Sequence, residues 1–411
     1  MDFFEEIWAT ITKNRSRSIL TGFGVFWGMM MLLVLVGLGQ SLTQGIMANV
    51  EGFAINSCFV IPDRTSKPYK GLQKGRTWSI HNQDMPTIRH AATHADVIAP
   101  MCFGGESTVR FGTWHDEYNM VGITPDHRKI LYVPLLYGRE INEIDVQEKR
   151  KVCVIGNEVY NKLFPERGNP VGKLLHIGNM QFRIVGVKQK TKAQVYLGGH
   201  PDQQVFWPIS TLQQARQLGE NIHLIMATAQ SNTPVSIVEE ELKTVLKDLY
   251  TIAPDDNRAM YTMNMEETLK AFQYLVVGLS ALIWLIGLGT LISGAVGVSN
   301  IMLVTVRERT KEIGIRRAIG ASPWVITKQI LAESTLLTLL AGLLGIVAAV
   351  GVLQVAQQLL QSNEMFSQDM QISFGIAIGG LVILLVIGLL AGLLPARRAL
   401  AIKPIEALNE E

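Results

Sequence analysis

Four long apolar runs dominate the chain, with uncharged stretches from Ser18 to Val50, Ala271 to Val306, Ser334 to Asn363 and Met370 to Ala396. A hydrocarbon core about 30 Å thick is crossed by roughly 20 helical residues, so each run predicts a membrane-spanning helix. We place the first span at 19–41, the second with a stalk end at 273–306, the third at 324–356 and the fourth at 372–394. A large polar segment, 42–272, separates the first two spans, and a short loop, 357–371, separates the last two. Ahead of the first span, Phe4, Ile7, Trp8 and Ile11 fall at helical spacing. They predict an amphipathic helix within 1–18 that lies on the membrane face. As one helix, residues 271–306 would extend about 54 Å, well beyond the hydrocarbon, so the runs flanking the polar segment are expected to continue as a stalk.

The polar segment carries a different pattern. KVCVIG (151–156) reads as a buried strand and NEVYNKLF (157–164) as the helix after it. GKLLHI and QFRIVGV are alternating strands separated by Gly178-Asn179-Met180, a hairpin signal. QVFWPIS and HLIMATA supply further strands. A helix starts at Thr233-Pro234, with Val235, Val238, Leu242, Val245, Leu246 and Leu249 on one apolar face. Residues 62–82 are cationic and turn-rich, which predicts a loop or mobile insertion able to contact a partner. The fold class expected is a membrane protein: an α-helical four-span region plus a mixed α/β extracytoplasmic domain.

Charge sets the orientation. Outside 42–272, all twelve Lys and Arg lie before the first span, in or just after the loop between the second and third, or after the fourth. Excess Lys and Arg mark cytoplasmic segments. Both termini, the 307–323 loop and the 395–411 tail are therefore expected in the cytoplasm, with 42–272 periplasmic, in a multi-pass inner (plasma) membrane protein. The first apolar run exceeds the roughly 7–15 residues of a signal-peptide core, so it is read as a retained anchor.

Composition agrees: 48% hydrophobic, 18% charged and mean hydropathy +0.23 are too apolar for an ordinary soluble protein. A formal net charge of +2 gives no basis for a nucleic-acid partner. All three cysteines (Cys58, Cys102, Cys153) lie in the polar segment, and an odd number forbids complete internal pairing. His90 and His94 share a helical spacing, but two ligands without a third do not make a metal site. The nearest approach to a nucleotide-binding G-x-x-x-x-G-K-[ST] loop is Gly168-Asn-Pro-Val-Gly172-Lys173-Leu174, whose spacing is wrong. No nucleophile elbow or catalytic carboxylate pair stands out, so no enzyme activity, cofactor or metal is expected in the chain itself.

Two features carry candidate function. The loop VRERTKEIGIRRAIGAS sets Arg307, Arg309, Lys311, Arg316 and Arg317 beside Glu308 and Glu312. Glu333 lies inside the third apolar run, where an ionisable group is expensive and finds either a partner such as Lys328, the headgroup region or a functional use. Gly24-x-x-x-Gly28 in the first run permits close helix approach.

These segments resemble a known family. GVSNIMLVTVRERTKEIGIRRAIGAS (297–322), QILAESTLLTLLAGLLG (329–345) and LLPARRALAIKPIEAL (393–408) are similar to the permease region of MacB/FtsX-type ABC transporters. The stretch from KVCVIG to QFRIVGV resembles the MacB-type periplasmic core domain. The resemblance implies a mechanotransmission permease of type VII architecture, in which paired permeases carry ATP-driven movement to the periplasm for efflux or export. It implies a coupling helix within 307–323, with Glu308, Arg309, Lys311, Glu312, Arg316 and Arg317 as ATPase-coupling residues. Partners implied are an ABC ATPase subunit, a second permease in a homo- or heterodimer, membrane lipids, and a periplasmic adaptor with an outer-membrane channel. MacB itself fuses its ATPase ahead of the permease, whereas about 18 residues precede the first span here, so a separate ATPase chain is expected, as in the lipoprotein-releasing Lol system. Two alternatives stay open: an FtsX-like regulator of a cell-wall hydrolase, and a lipoprotein-releasing permease.

Overall fold

The computed structural model describes residues 15–48, 52–191, 198–360 and 372–401, in two units: Met1–Ile46 with Tyr274–Glu411, and Met47–Gln273. The amphipathic helix expected at the N-terminus, most of the 357–371 loop and the end of the tail lie outside the described residues. The chain begins in helix α1 (Arg15–Ala48) and then enters the second unit.

That unit is built from β1 (Ser57–Pro62), β2 (Ile80–His81), α2 (Met85–Ala91), β3 (Ala95–Phe111), β4 (Trp114–Ile123), α3 (His127–Ile130), β5 (Leu135–Gly138) and α4 (Glu143–Gln147). It continues through β6 (Val152–Ile155), α5 (Asn157–Leu163), β7 (Leu174–Ile177), β8 (Met180–Lys188) and β9 (Gln204–Pro208). Helix α6 (Ile209–Ala215), β10 (Asn221–Ile222), β11 (Leu224–Ala229), α7 (Val235–Leu249) and β12 (Met260–Asn264) complete it. Ten strands form one sheet in the order β12-β1-β11-β3-β4-β9-β6-β8-β5, with β7 joining β3 and β8. Pairing is antiparallel except at β4/β9 and β6/β8. Each strand and helix read from KVCVIG through Thr233-Pro234 is present, with Pro234 as the cap of α7 rather than part of its first turn.

Both faces of this sheet are covered, which explains its apolar strands. In β11, Ile225 and Ala227 pack on one face with Val238 and Leu242 of α7. Leu224 and Met226 point to the other face and join Phe59, Phe206 and Met265. Successive side chains alternate faces, so a strand covered on both sides reads as a continuous apolar run. Strand β9 divides likewise: Val205 and Trp207 enter a core with α5 and α6, and Phe206 enters the opposite one. The apolar face read on α7 ends at Leu246, since Leu249 is 38% exposed. The three cysteines are buried free thiols, and burial pushes Cys58 and Cys102 up to about 12 and Cys153 up as well.

Two expectations on this unit change. His90 lies in α2, but His94 falls beyond the helix end, and its Nδ1 lies 2.6 Å from Glu241, so the shared helical face does not form. Residues 62–82 are indeed mostly irregular, yet they are anchored. Trp78 is buried and donates to the Ala259 carbonyl at 2.8 Å. Asp256, fully buried, accepts from the Ser66 hydroxyl (2.7 Å) and from the amides of Ser66 (2.7 Å), Lys67 (3.0 Å) and Arg258 (3.1 Å). Between these anchors, Tyr69 to Gly75 form a mostly exposed tip.

The membrane unit contains α1, α8 (Met265–Glu308), α9 (Thr310–Ala318), α10 (Pro323–Leu360) and α11 (Phe374–Leu400). Four of these helices contain stretches long and apolar enough to cross a membrane. Helix α8 runs 44 residues without interruption, about 66 Å at 1.5 Å per residue. Helix α1 buries Val25, Met29, Leu32, Leu33 and Val36, a stripe at helical spacing. Its glycines serve packing within the chain: a Cβ on Gly28 would lie 3.0 Å from the Thr290 carbonyl oxygen, and one on Gly24 would lie 3.4 Å from the Gly294 Cα of α8. Helices α10 and α11 meet through small residues, with Ser334 beside Gly392 and Thr338 beside Gly388. The two hydroxyls donate to carbonyls of their own helix, Leu331 at 2.9 Å and Ser334 at 2.6 Å, so neither is left bare in the contact.

Replacing Gly28 by Leu forces α1 and α8 apart and should cost roughly 1–3 kcal/mol, read as a lower melting point of the full chain in detergent. Asp256→Ala removes the acceptor of four hydrogen bonds and should cost about 1–3 kcal/mol, with trypsin cleaving at Lys70 and Lys74 in the freed loop. Burial opposes ionisation of Asp256, but its four hydrogen bonds outweigh burial and hold the carboxyl below its usual range. A depressed carboxyl stabilises above its unfolded value and loses that stabilisation as pH falls through the folded one. Wild-type cleavage at the same lysines should therefore rise only below about pH 4, measurable by transfer to neutral pH for a brief protease pulse.

Candidate functional site: the charged helix between two spans

The sequence dictates three local breaks around α9. Arg309, with φ −97° and ψ 17°, interrupts the helix between α8 and α9. At the other end the chain closes in a Schellman motif: the Gly320 amide donates to the Arg317 carbonyl (3.1 Å) and the Ala321 amide to Arg316 (3.0 Å). Gly320 supplies the φ of +104° that this turn needs, and Pro323 then opens α10, where its missing N–H costs nothing.

The charges on α9 divide between two faces. On the inner side, Arg309 Nη1 donates to both carboxylate oxygens of Glu333, at 3.1 and 3.3 Å. Glu333 is 4% exposed, on α10. Arg316 donates to Gln329 of α10 at 3.0 Å and to Glu312 at 2.9 Å. Glu312 also approaches Arg309 Nε at 4.0 Å. Arg317 donates to the Leu400 carbonyl at 2.9 Å, placing a cation at the C-terminal end of α11, where the helix dipole favours it. A void of about 30 Å³ lies among Arg309, Arg316, Gln329 and Glu333.

The outer side is mixed. Arg307, Glu308 and Lys311 are exposed, and with them Ile315 (46%) and Ile319 (82%). Just beyond the turn, Trp324 is 69% exposed. Of the seven residues singled out from sequence, the structure joins Arg309, Glu312, Arg316 and Glu333 in one network. Arg317 is set on a different helix end, and Glu308 and Lys311 stay on the surface. Glu333 is paired with Arg309 rather than Lys328. Sequence reading overlooked Gln329 and the two isoleucines. Ile315 and Ile319 lie four apart, on the side away from the buried Ile313 and Gly314, an amphipathic signal hidden beneath the density of charge.

The described residues thus hold four candidate spans, a charged helix between the second and third, and an α/β unit between the first and second. A family model described as MacB-like periplasmic core domain matches residues 18–245, and one described as FtsX-like permease C-terminal matches 284–404. The chain belongs to the MacB/FtsX-type family of ABC permeases. It is 27% identical over 411 residues to the macrolide export ATP-binding/permease protein MacB of Hahella chejuensis, covering 99% of this chain and 60% of that protein. It is 30% identical over 424 residues to the pyoverdine export ATP-binding/permease protein PvdT of Pseudomonas syringae pv. tomato, covering 100% and 60% respectively. The chain thus spans about 60% of the length of these curated relatives. Among solved structures, the periplasmic region of MacB from Actinobacillus actinomycetemcomitans aligns with a TM-score of 0.44 at 18% identity, over 55% of this chain and 96% of that one.

Gly320→Ala forces a side chain into the left-handed region and should cost about 1–2 kcal/mol. The expected result is faster amide exchange at the C-terminal end of α9, with exchange in the second unit unchanged.

Proposed function

We propose that the chain is the mechanotransmission permease of an ABC exporter, working with a separate ATPase subunit that binds and hydrolyses ATP. The observation that carries this reading is the outer face of α9, where Lys311, Ile315 and Ile319 stand exposed beside Glu308 while the inner arginines are engaged. An apolar pair rimmed by both signs of charge suits a docked, reversible protein contact. The positive-inside bias accounts for the cations but not for Glu308 and Glu312, which argue for a partner. In this reading both termini and α9 are cytoplasmic and the α/β unit is periplasmic. Two permeases pair, as a homodimer or with a related chain, and α1 and α8 carry the ATPase stroke outward. The named activities of the relatives, macrolide and pyoverdine export, support efflux of a small molecule; a periplasmic adaptor and an outer-membrane channel are further partners in this reading.

The test is crosslinking in the native membrane followed by mass spectrometry of what co-purifies. An ABC ATPase with an adaptor supports the exporter; an ATPase with a peptidoglycan hydrolase replaces it with an FtsX-like regulator. Glu312→Lys should leave insertion intact, retain basal ATP hydrolysis by the assembly and lower transport at least about tenfold, equivalent to about 1.4 kcal/mol of lost coupling. Normal transport by that variant overturns the assignment of α9.

A further inference from the structure

The buried side of α9 poses a separate question: why a carboxylate is kept at Glu333. A charge removed from water costs several kcal/mol unless fully partnered, and an apolar residue of similar volume there would commonly be neutral or stabilising. Orientation does not require it, because carboxylates contribute little to the positive-inside bias. The geometry supplies a different answer. Arg309 is the one residue that breaks the helix between α8 and α9, and its guanidinium reaches both oxygens of Glu333. Arg316, two turns further along α9, holds Gln329, one turn before Glu333 on α10. Two arginines of one helix therefore grip two positions of the next. The grip is not dry-packed: the void of about 30 Å³ between them has room for a water, so the side chains can change partners without breaking a close-packed core.

We infer that Arg309 and Glu333 are a positioning pair that keys α9 to α10, with Glu312 as its solvent-facing end, where a cationic side chain of the docked partner is read. The inference rests on the coupling role proposed for α9 and names the side chains that pass displacement into the third span. Glu312 is suited to this because it is half exposed, bonded to Arg316 and within 4.0 Å of Arg309. A partner cation that claims Glu312 removes the acceptor shared by the two arginines, while Arg309 keeps Glu333 and Arg316 keeps Gln329. Contact at the surface thereby becomes a firmer hold between α9 and α10. Without the pair, the Arg316–Gln329 bond and the buried Ile313 still tie α9 to its neighbours, but nothing holds the break at Arg309 against α10.

The experiment uses the full chain in nanodiscs, first without any partner. Hydrogen exchange across residues 310–318 should rise about tenfold in Glu333→Gln and in Arg309→Gln, and remain at wild-type level in Glu308→Gln. The double variant Arg309→Glu with Glu333→Arg should return exchange most of the way to wild type. That rescue separates a specific pair from general destabilisation, and Arg309→Lys, which keeps charge without the fork, should give an intermediate value. Unchanged exchange in Glu333→Gln, or no rescue by the swapped pair, overturns the inference. Adding the co-purified ATPase then separates the two readings. If the keyed helix loosens in Glu333→Gln while ATP-driven transport stays normal, the positioning role is wrong although the pairing is real. If α9 loosens and is rescued as expected but no ATPase binds the wild-type chain, the pair stands and the coupling role fails.

Discussion

The cost of holding charge and unpaired backbone away from water shapes the membrane unit more than any attraction within it. Lipid offers no hydrogen bonds, so the spans are helices whose hydroxyls, at Ser334 and Thr338, bond back to their own carbonyls. The same cost makes Glu333 informative. A buried carboxylate persists because Arg309 meets it with both oxygens satisfied, and Arg309 can do so because the helix breaks at that residue. Break, arginine and glutamate form a single solution to one electrostatic problem. The rest of α9 is arranged around that solution, with Arg316 and Gln329 continuing the inner face and the isoleucines turned outward.

The second unit solves a different problem by similar means. A sheet of ten strands needs both faces covered, and it gains that cover from α7 and α2 at one end and from α5 and α6 at the other. The opposite face is closed by aromatic and methionine side chains, among them Phe53, Phe59, Phe206 and Met226. Because each of these cores depends on period-two alternation, a one-residue slip in β9 or β11 would exchange the two faces wholesale. Fixed register explains how the irregular 62–82 segment is held in place. Asp256 lies just ahead of β12 of this sheet and Trp78 just ahead of β2, which pairs with β10 in a separate two-stranded sheet, so each anchor inherits its position from a strand.

How much of this was legible in the chain depended on the length scale of the signal. Apolar runs of 27 residues or more announce spans without ambiguity, and VCVI, LIMATA and the α7 stripe have clear periodicity. The long hairpin of β3 and β4 did not stand out. Gly104 and Gly105 interrupt β3 at a register shift, and Glu106 to Arg110 and His115 to Glu117 give the outer ends a polar look. Bulges and half-exposed strands dilute alternation. In the candidate site, residue types were legible but partners were not. Arg309 and Glu333 are 24 positions apart and meet only through the turn at Gly320, a geometry that no spacing rule encodes. Lys328, nearer in sequence, looked the better mate for Glu333.

That failure bears on how charge clusters at membrane boundaries are read. Topology alone predicts that Arg307 to Arg317 should be interchangeable cations pointing wherever water lies. Instead three of them have distinct acceptors: a carboxylate for Arg309, an amide and a carboxylate for Arg316, a helix-end carbonyl for Arg317. Planar guanidinium groups suit each of these acceptors better than an ammonium does. Lys311, the lysine in the group, stays on the surface together with Arg307. That the inward-facing cations Arg309 and Arg316 are guanidinium groups follows from hydration, since the more weakly hydrated cation is the cheaper to bury. The inner arginines hold the helix in place, and the exposed residues are those that face outward.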